Sequence, residues 1–348
     1  MLTLISGDRP QSRILGALLL LVLLALAFAP FLFPGSRSLE TAARICIFIV
    51  LVASYDLLLG YGGIVSFAHT MFFGMGAYGV GIALDRLGTG WGAMGLGALA
   101  GMALAGAVAL VIALLSLRVR AIFFAMITLA IASAVAVLVS QLSGLTGGED
   151  GMNLRIPREL TPAFRFEVLG LTVTGKILNY YLVFLGCLVL FLTMLRLVNS
   201  PFGRVLLAIR ENAFRAEAIG YRVVAYRAAA TTLSAVIAAA AGALFAVWLR
   251  YVGPSTVLGM EIMMDILLIV VIGGMGTMYG AVVGTAIFVL AQNYLKTLMG
   301  GLAEATAGLP LVPDLLNPDR WLLWLGVLFI LSVYFFPTGI VGRLRGAR

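Results

Sequence analysis

The run Ile14–Phe33, ILGALLLLVLLALAFAPFLF, decides the fold class of this sequence. It carries no charge and has about the 20 residues that an α-helix needs to cross roughly 30 Å of hydrocarbon. Inside a bilayer only helices and closed β-barrels satisfy their backbone hydrogen bonds, and barrel strands alternate apolar with polar residues. This run does not alternate, so we expect a membrane-spanning helix.

The composition extends this prediction to the whole chain. Of the 348 residues, 62% are hydrophobic and 11% are charged, whereas soluble globular proteins are about half apolar and a quarter charged. The apolar runs predict an all-α, polytopic transmembrane helical bundle of about ten spans, forming a single domain, residues 1–348. The expected spans lie near 14–33, 41–59, 63–84, 92–116, 121–142, 177–198, 227–250, 257–272, 278–299 and 321–336. Glycines make the third and eighth spans candidates for broken or half-helices.

The first span has an alternative interpretation as a secretory signal. Arg9 and Arg13 precede it, and Ala27-Phe28-Ala29 resembles a cleavage site. About twenty apolar residues is long for a signal core, and Pro30 would follow the cut. We therefore favour a retained helix.

Arginines in the loops predict the orientation. The segment 196–227 holds six arginines against Glu211 and Glu217, a net charge of +4, and Arg118 and Arg120 lie in another short loop. Because cytoplasmic loops carry an excess of Lys and Arg, both loops are expected in the cytoplasm, and with ten spans so are both termini. Orientation accounts for the total charge of +8, and no nucleic-acid partner is indicated.

The loop 143–176 is then external, and it has no net charge. Its run Thr146–Gly151 is a turn signal, and Arg165–Thr174 alternates enough for a short hairpin. Long loops are often functional, so this loop is either a docking surface or a passive connector.

The chemistry of a nucleotide or metal site is not indicated. Gly170 and Gly175-Lys176 match part of a phosphate-binding loop, but Ile177 stands where Ser or Thr must hold Mg²⁺. Cys46 and Cys187 lie in apolar spans without metal-ligand spacing, and we expect them to be buried as small hydrophobic residues. Neither catalytic residues nor a cofactor are predicted.

The cytoplasmic segment 196–227 is predicted to contain a short amphipathic helix. Ser200 is a candidate N-cap, Pro201 suits the first turn, and Gly220 ends the helix. Glu211 and Arg215 have the spacing of a favourable ion pair. One apolar face is predicted by helical spacing at Leu206, Ile209, Ala213 and Ala216. Such a helix either lies on the inner membrane surface or fits a groove of a soluble partner.

The stretch 60–79, GYGGIVSFAHTMFFGMGAYG, is apolar yet holds six glycines and the only histidine. Small residues permit close helix packing in lipid, and glycines also allow transport helices to break so that backbone groups line a path. Both interpretations stay open. Ser66, His69 and Thr70 form the best polar cluster within a span, although a lone membrane histidine is more often a packing residue.

Several motifs, in one order, resemble the permease subunits of branched-chain amino acid ABC importers, specifically the M-type (LivM-like) subunit. These motifs are Ser66–Tyr78, Ile122–Leu129, Thr146–Gly151, Ser200–Asn212 with Glu217–Gly220, and Gly273–Gly280. The Glu-Ala-Ala coupling signature of many ABC permeases is only loosely kept, as Glu217-Ala218-Ile219-Gly220. The stretch 296–320 is longer than the family leads us to expect and is a candidate for an extra external element.

The resemblance implies roles for three groups of residues. Coupling to the ATPase is implied for Arg204, Arg210, Glu211, Arg215, Glu217 and Gly220. A place on the translocation path is implied for Gly62, Gly63, Ser66, His69, Thr70, Gly273, Gly274 and Gly276. Docking of the binding protein is implied for Gly147, Gly148, Glu149 and Asp150.

The resemblance also implies the partners and the place of the protein. A homologous H-type permease, two ATPase subunits and an external solute-binding protein would assemble with this multi-pass chain in a bacterial inner membrane. The solute would be a branched-chain or other hydrophobic amino acid or a related small carboxylate, and relatives of this appearance also carry amides, urea and aromatic acids. The competing hypotheses are an ion-coupled secondary transporter, for which Asp56 and Asp265 are the strongest candidate residues, and an intramembrane enzyme.

Overall fold

The computed structural model describes residues 12–32, 35–116, 121–168, 171–305, 317–336 and 339–346. Arg9, Arg118 and Arg120, on which part of the predicted orientation depends, lie outside these residues. So do Gly170 of the phosphate-loop match and residues 306–316 of the proposed external element at 296–320.

The helices follow the apolar runs. They are α1 (Arg13–Ala27), α2 (Ala29–Leu32), α3 (Ser36–Asp56), α4 (His69–Leu87), α5 (Trp91–Ser116), α6 (Ala121–Gln141), α7 (Ser143–Thr146), α8 (Gly175–Val198), α9 (Pro201–Glu211), α10 (Ala213–Ala218), α11 (Val223–Leu249), α12 (Pro254–Val257), α13 (Met260–Gly273), α14 (Met278–Ala305), α15 (Trp321–Phe335) and α16 (Gly339–Gly346). A π-helical turn, Leu57–Tyr61, continues α3, and single 3₁₀ turns occur at Gly148–Asp150, Arg158–Leu160 and Pro318–Arg320.

Within the described residues, seven helices are long and apolar enough to cross a membrane. They are Ser36–Tyr61, Trp91–Leu115, Ile122–Gln141, Gly175–Val198, Val223–Leu249, Pro254–Gly273 and Met278–Glu304. The predicted all-α polytopic membrane protein is confirmed, while the number of ten spans and the side of the termini stay predictions. The third predicted span starts late, at His69, because residues 62–68 form no helix.

The strands are short, and all lie in the polar loops. The predicted hairpin is confirmed: β2 (Arg165–Val168) pairs with β3 (Leu171–Thr174) in antiparallel register, Arg165 opposite Thr174. A second pairing joins β1 (Met152–Asn153) to β4 (Tyr251–Val252). This second pair was not predicted, since two-residue strands leave no alternating pattern to detect.

Residue contacts divide the chain into two compact units. The larger comprises Cys46–Leu267 among the described residues. Its centre is the mutual packing of α4, α5 and α11. Glycines allow this approach: a Cβ at Gly79 would lie 2.5 Å from the carbonyl oxygen of Gly97, and one at Gly101 would lie 2.6 Å from that of Met75. Helices in lipid associate through such small residues.

The smaller unit comprises 12–45 and the described residues from Leu268 onward. Its main element is α14, which contacts α1, α15 and α16. At the start of α3, Arg37 donates a hydrogen bond of 2.8 Å to the carbonyl oxygen of Asn293. Its guanidinium also lies 5.8 Å from the ring centroid of Tyr294.

Candidate coupling and translocation site

The predicted hinge of the third span is a real interruption of the helix, which we call the glycine break (residues 57–68). The π-helical turn ends α3, and the amide of Gly62 donates to the carbonyl of Leu57 at 3.2 Å. Gly63 follows with φ +65°, a left-handed conformation that side chains disfavour. The chain then has no regular secondary structure up to Ala68, and the amide of Phe67 donates to Thr128 Oγ1 of α6 at 3.1 Å. π-Turns occur frequently at functional sites.

The predicted polar cluster lies directly behind this break and is completely enclosed. His69, Ser66 and Thr70 are all buried. His69 Nε2 lies 2.8 Å from Ser54 Oγ of α3, and Ser234 Oγ of α11 donates to the carbonyl of Ser54 at 2.6 Å. The cluster thus joins three helices at one point.

The hydrogen bonds select the tautomer of His69. Ser54 Oγ donates its single proton to the carbonyl of Leu51 at 2.7 Å, so it accepts from His69, whose Nε2 must carry the hydrogen. His69 Nδ1 is then a buried acceptor without a hydrogen-bond partner, while the ring stands edge-on to Tyr55 at 5.2 Å between centroids. This agrees with the packing role that we considered more common for a membrane histidine.

The predicted single amphipathic helix of the cytoplasmic segment is two helices. Asn212 interrupts it with an extended backbone, and its Oδ1 accepts a hydrogen bond of 2.9 Å from the amide of Arg215 as the N-cap of α10. The expected i,i+4 pair is therefore wrong: Glu211 and Arg215, both among the described residues, form no ion pair across this break. Ser200 does precede the first helical residue, but its hydroxyl donates to the carbonyl of Leu197 at 2.6 Å and caps nothing.

The predicted apolar face exists, and the protein itself covers it. Ile209 and Ala216 are buried together with Val223 at the start of α11, and Val205, Ala213 and Tyr226 pack around them. The interpretation that this face lies on the inner membrane surface is therefore not supported. We call residues 199–222 the coupling segment from here on.

The coupling segment and the glycine break meet through one arginine. The guanidinium of Arg210 donates a hydrogen bond to the carbonyl oxygen of Gly60. A Cβ at Gly63 would lie 3.1 Å from Arg210 Cγ, so the arginine side chain runs along this glycine. Sequence analysis placed Arg210 and Gly63 in different groups, and the structure brings them together.

The other predicted path glycines form a separate turn in the smaller unit, between α13 and α14. Gly274 and Gly276 have φ values of +112° and +78°, and Gly273 has no room for a side chain against Gly280. Thr277 Oγ1 donates to the carbonyl of Gly274 at 2.7 Å and closes the turn.

The predicted docking residues form an ordered loop. Gly147 and Gly148 have φ values of +75° and +65°, while Glu149 and Asp150 are exposed. The hydroxyl of Tyr251 donates to the carbonyl of Asp150 at 2.8 Å and ties this loop to β4.

Two exposed apolar side chains of the coupling segment were missed by sequence analysis. Phe214 is 82% exposed and Ile219 is 68% exposed. Their signal was present, because both fall outside the apolar spacing of Leu206, Ile209 and Ala216. Within the described residues, no three His, Cys, Asp or Glu side chains come together as metal ligands would.

Comparison with known proteins identifies the family. The family described as "Branched-chain amino acid transport system / permease component" matches residues 38–333. This chain belongs to that permease family. It is similar to the high-affinity branched-chain amino acid transport system permease protein LivM of Salmonella typhimurium and of Escherichia coli, each 27% identical over 310 residues, or 82% of this chain and 71% of each relative. It is also similar to a probable LivM of Methanocaldococcus jannaschii, 25% identical over 327 residues, or 85% of this chain and 90% of that relative. No solved structure matches.

The family fixes the general function. The chain is a membrane permease subunit of an ABC importer; it is not itself an enzyme, and ATP is hydrolysed by separate subunits. The alternatives of a self-sufficient ion-coupled transporter and of an intramembrane enzyme are thereby removed.

Proposed function

We propose that this permease is the M-type subunit of an importer for branched-chain or related hydrophobic amino acids, and that the coupling segment docks on an ATPase subunit. The observation that carries the docking is Phe214, an aromatic side chain 82% exposed in a segment whose other apolar face is already buried. A large exposed aromatic residue beside charged neighbours is typical of an interface anchor. Arg204, Glu211, Arg215, Glu217 and Gly220, all exposed, complete this surface.

Loop contacts within the larger unit agree with the predicted even number of crossings between the contacting loops. The coupling segment and the glycine break, both assigned to the inside by counting spans, contact each other. The loops at Gly147–Asn153 and Tyr251–Gly253, both assigned to the outside, pair through β1 and β4. If one of the predicted spans between two contacting loops did not cross, those loops would lie on opposite sides of the membrane.

In this topology the exposed Glu149 and Asp150 face the outside, where a solute-binding protein would dock. A homologous H-type permease, a second copy of the ATPase and the inner membrane of a bacterium complete the assembly. The relatives named LivM support this assembly and the class of solute. The whole chain then acts as one permease domain.

Docking on the ATPase is tested by co-purification of the ATPase subunits with the full transporter in detergent. Phe214→Asp, and the double variant Glu211→Lys with Glu217→Lys, should lose co-purified ATPase and solute-stimulated ATP hydrolysis, while the amount of chain in the membrane stays normal. Phe164→Asp is the matched control, since Phe164 is an exposed phenylalanine of the predicted external loop. Normal coupling in both test variants would remove the segment from the ATPase interface.

A further inference from the structure

We propose that Arg210 transmits movement of the coupling segment to the glycine break, as a positioning residue for transport rather than as an ATPase contact. The proposal rests on the proposed docking of the coupling segment and adds the route by which docking acts on the path. Its basis is the hydrogen bond from the Arg210 guanidinium to the carbonyl oxygen of Gly60, 150 positions away in the sequence.

The Gly60 carbonyl needs a donor at this point. It belongs to the last turn of a membrane helix, where carbonyl groups have no partner within the helix. Gly60 is buried, and a buried carbonyl without a donor is costly. The next amides are used elsewhere, since Gly62 donates to Leu57 and Ile64 donates to Leu58. Arg210 supplies the missing donor from another element.

Arg210 makes a second close contact with the glycine break, at Gly63. Gly63, with φ +65°, faces Arg210 so closely that its own Cβ would stand 3.1 Å from Arg210 Cγ. A shift of α9 therefore meets the break at two points, the carbonyl of Gly60 and the backbone of Gly63. The π-helical turn Leu57–Tyr61, which contains Gly60, bends more easily than a regular α-helix.

α9 is built to move as one body with Arg210. Leu206 and Ile209, on the turn before Arg210, are 0% and 1% exposed. Gly203 fits so closely against the carbonyl of Val198 that a side chain there would overlap it. A displacement of the coupling segment would therefore move the packed residues of α9 together with Arg210. Arg210 would transmit this displacement to the glycine break.

Arg222 is the matched control. It lies in the coupling segment, is exposed and carries the same charge as Arg210, but within the described residues no hydrogen bond joins it to the glycine break, and it is not part of the proposed docking surface. Removing it changes the charge of the segment without removing its connection to the path.

The test uses the complete transporter in proteoliposomes and measures leucine uptake, ATP hydrolysis and ATPase co-purification. Arg210→Gln should keep co-purification and basal hydrolysis, but its uptake per ATP should fall about tenfold or more, as expected for loss of a hydrogen bond from a charged donor. Arg210→Lys should recover part of that ratio, because an ammonium group donates to a single carbonyl. Arg222→Gln should keep the wild-type ratio.

Three outcomes would overturn the proposal. Arg210→Gln with an unchanged ratio would show that the hydrogen bond carries no movement. Loss of co-purified ATPase in proportion to uptake would make Arg210 a docking residue. Equal loss of the ratio in the Arg222 variant would assign the effect to charge alone. Failure of the proposed docking is distinguishable, since Phe214→Asp would then keep its co-purified ATPase whatever Arg210→Gln does.

If Arg210→Gln does not assemble, a second measurement decides with Arg210→Lys. Val65→Cys lies in the break and is half-buried in the wild-type chain. Its labelling by a maleimide should change when ATP and vanadate are added to the wild-type transporter, and this change should shrink in the Arg210→Lys background. Labelling that responds equally in both backgrounds would contradict transmission through Arg210.

Discussion

Gly63 is a position at which one missing side chain serves two purposes. Its φ of +65° would cost another residue about 1–2 kcal/mol in backbone strain. It also leaves room for Arg210, whose Cγ would stand 3.1 Å from an added Cβ. We therefore expect Gly63→Leu to abolish leucine uptake while the protein still inserts, as measured by transport in proteoliposomes.

Gly88 provides the matched control for this substitution. It has a φ of +97°, and an added Cβ would meet nothing within 4 Å, so Gly88→Leu introduces backbone strain without a neighbour. Gly88→Leu should retain uptake. Wild-type transport by Gly63→Leu, or equal loss in both variants, would show that the space beside Arg210 is unimportant.

The surroundings of His69 show which part of a buried polar site can be predicted from the sequence. His69, Ser66 and Thr70 were singled out from the sequence because polar residues are conspicuous in an apolar span, and all three are buried. Their partners were not predictable, since Ser54 and Ser234 come from α3 and α11. Distance in the chain carries no signal of which hydroxyl will reach a buried imidazole.

At the scale of elements, the structure separates the two roles that were left open for the glycines of 60–79. Gly62 and Gly63 lie in the break, whereas Gly76 and Gly79 lie inside α4 at contacts with other helices. A Cβ at Gly76 would overlap the carbonyl of Ala239 in α11. The structure therefore shows packing at Gly76 and Gly79 and a helix break at Gly62 and Gly63, a division that composition alone could not make; that the break lines a transport path stays a prediction.

Packing by Gly76 leads to a sharp prediction of stability. Gly→Ala inside a helix gains about 1 kcal/mol from propensity, so Gly95→Ala in α5, where an added Cβ meets nothing within 4 Å, should stabilise the protein slightly. Gly76→Ala should instead lower the free energy of unfolding by about 3 kcal/mol or more, because the backbones of α4 and α11 must separate to make room for the added methyl group. Thermal unfolding of the two variants in one detergent measures the difference. Similar midpoints for both would mean that α4 and α11 do not pack this closely.

Helix boundaries followed the sequence best where hydropathy alone decides them, as in α5, α6 and α8. They failed where one polar residue changes the backbone. Asn212 ends α9 and begins α10, although the apolar spacing of Ile209 and Ala216 continues across it. The apolar residues of α9 and α10 keep one helical spacing because both helices pack on the same neighbours. The spacing therefore gave no sign of the interruption at Asn212.

At the scale of the whole molecule, charge predicted which loops share a side, but not which of them touch. Arginine counts placed the coupling segment inside, and the number of spans placed the glycine break with it. Only the structure shows that Arg210 reaches Gly60. The connection depends on the packing of α8, α9 and α11, which neither charge nor hydropathy encodes.

The number of spans is the remaining property of the whole molecule, and α1, α4 and α15 decide it. None of them is among the seven long apolar helices, yet ten spans require all three to cross the membrane. Thr89 after α4 and Asn317 before α15 are exposed, and both then face the outside. We expect Thr89→Cys and Asn317→Cys to react with a membrane-impermeant maleimide in intact spheroplasts. Asp150→Cys should react likewise, and Arg222→Cys only after permeabilisation; the two native cysteines are buried and should stay silent. Because α5 and α6 both lie between them, Thr89→Cys and Asp150→Cys should react alike, and protection of one with labelling of the other would contradict the crossing of α5 or α6. Labelling of Val65→Cys, which precedes α4, from the same side as Thr89→Cys would mean that α4 turns back within the membrane.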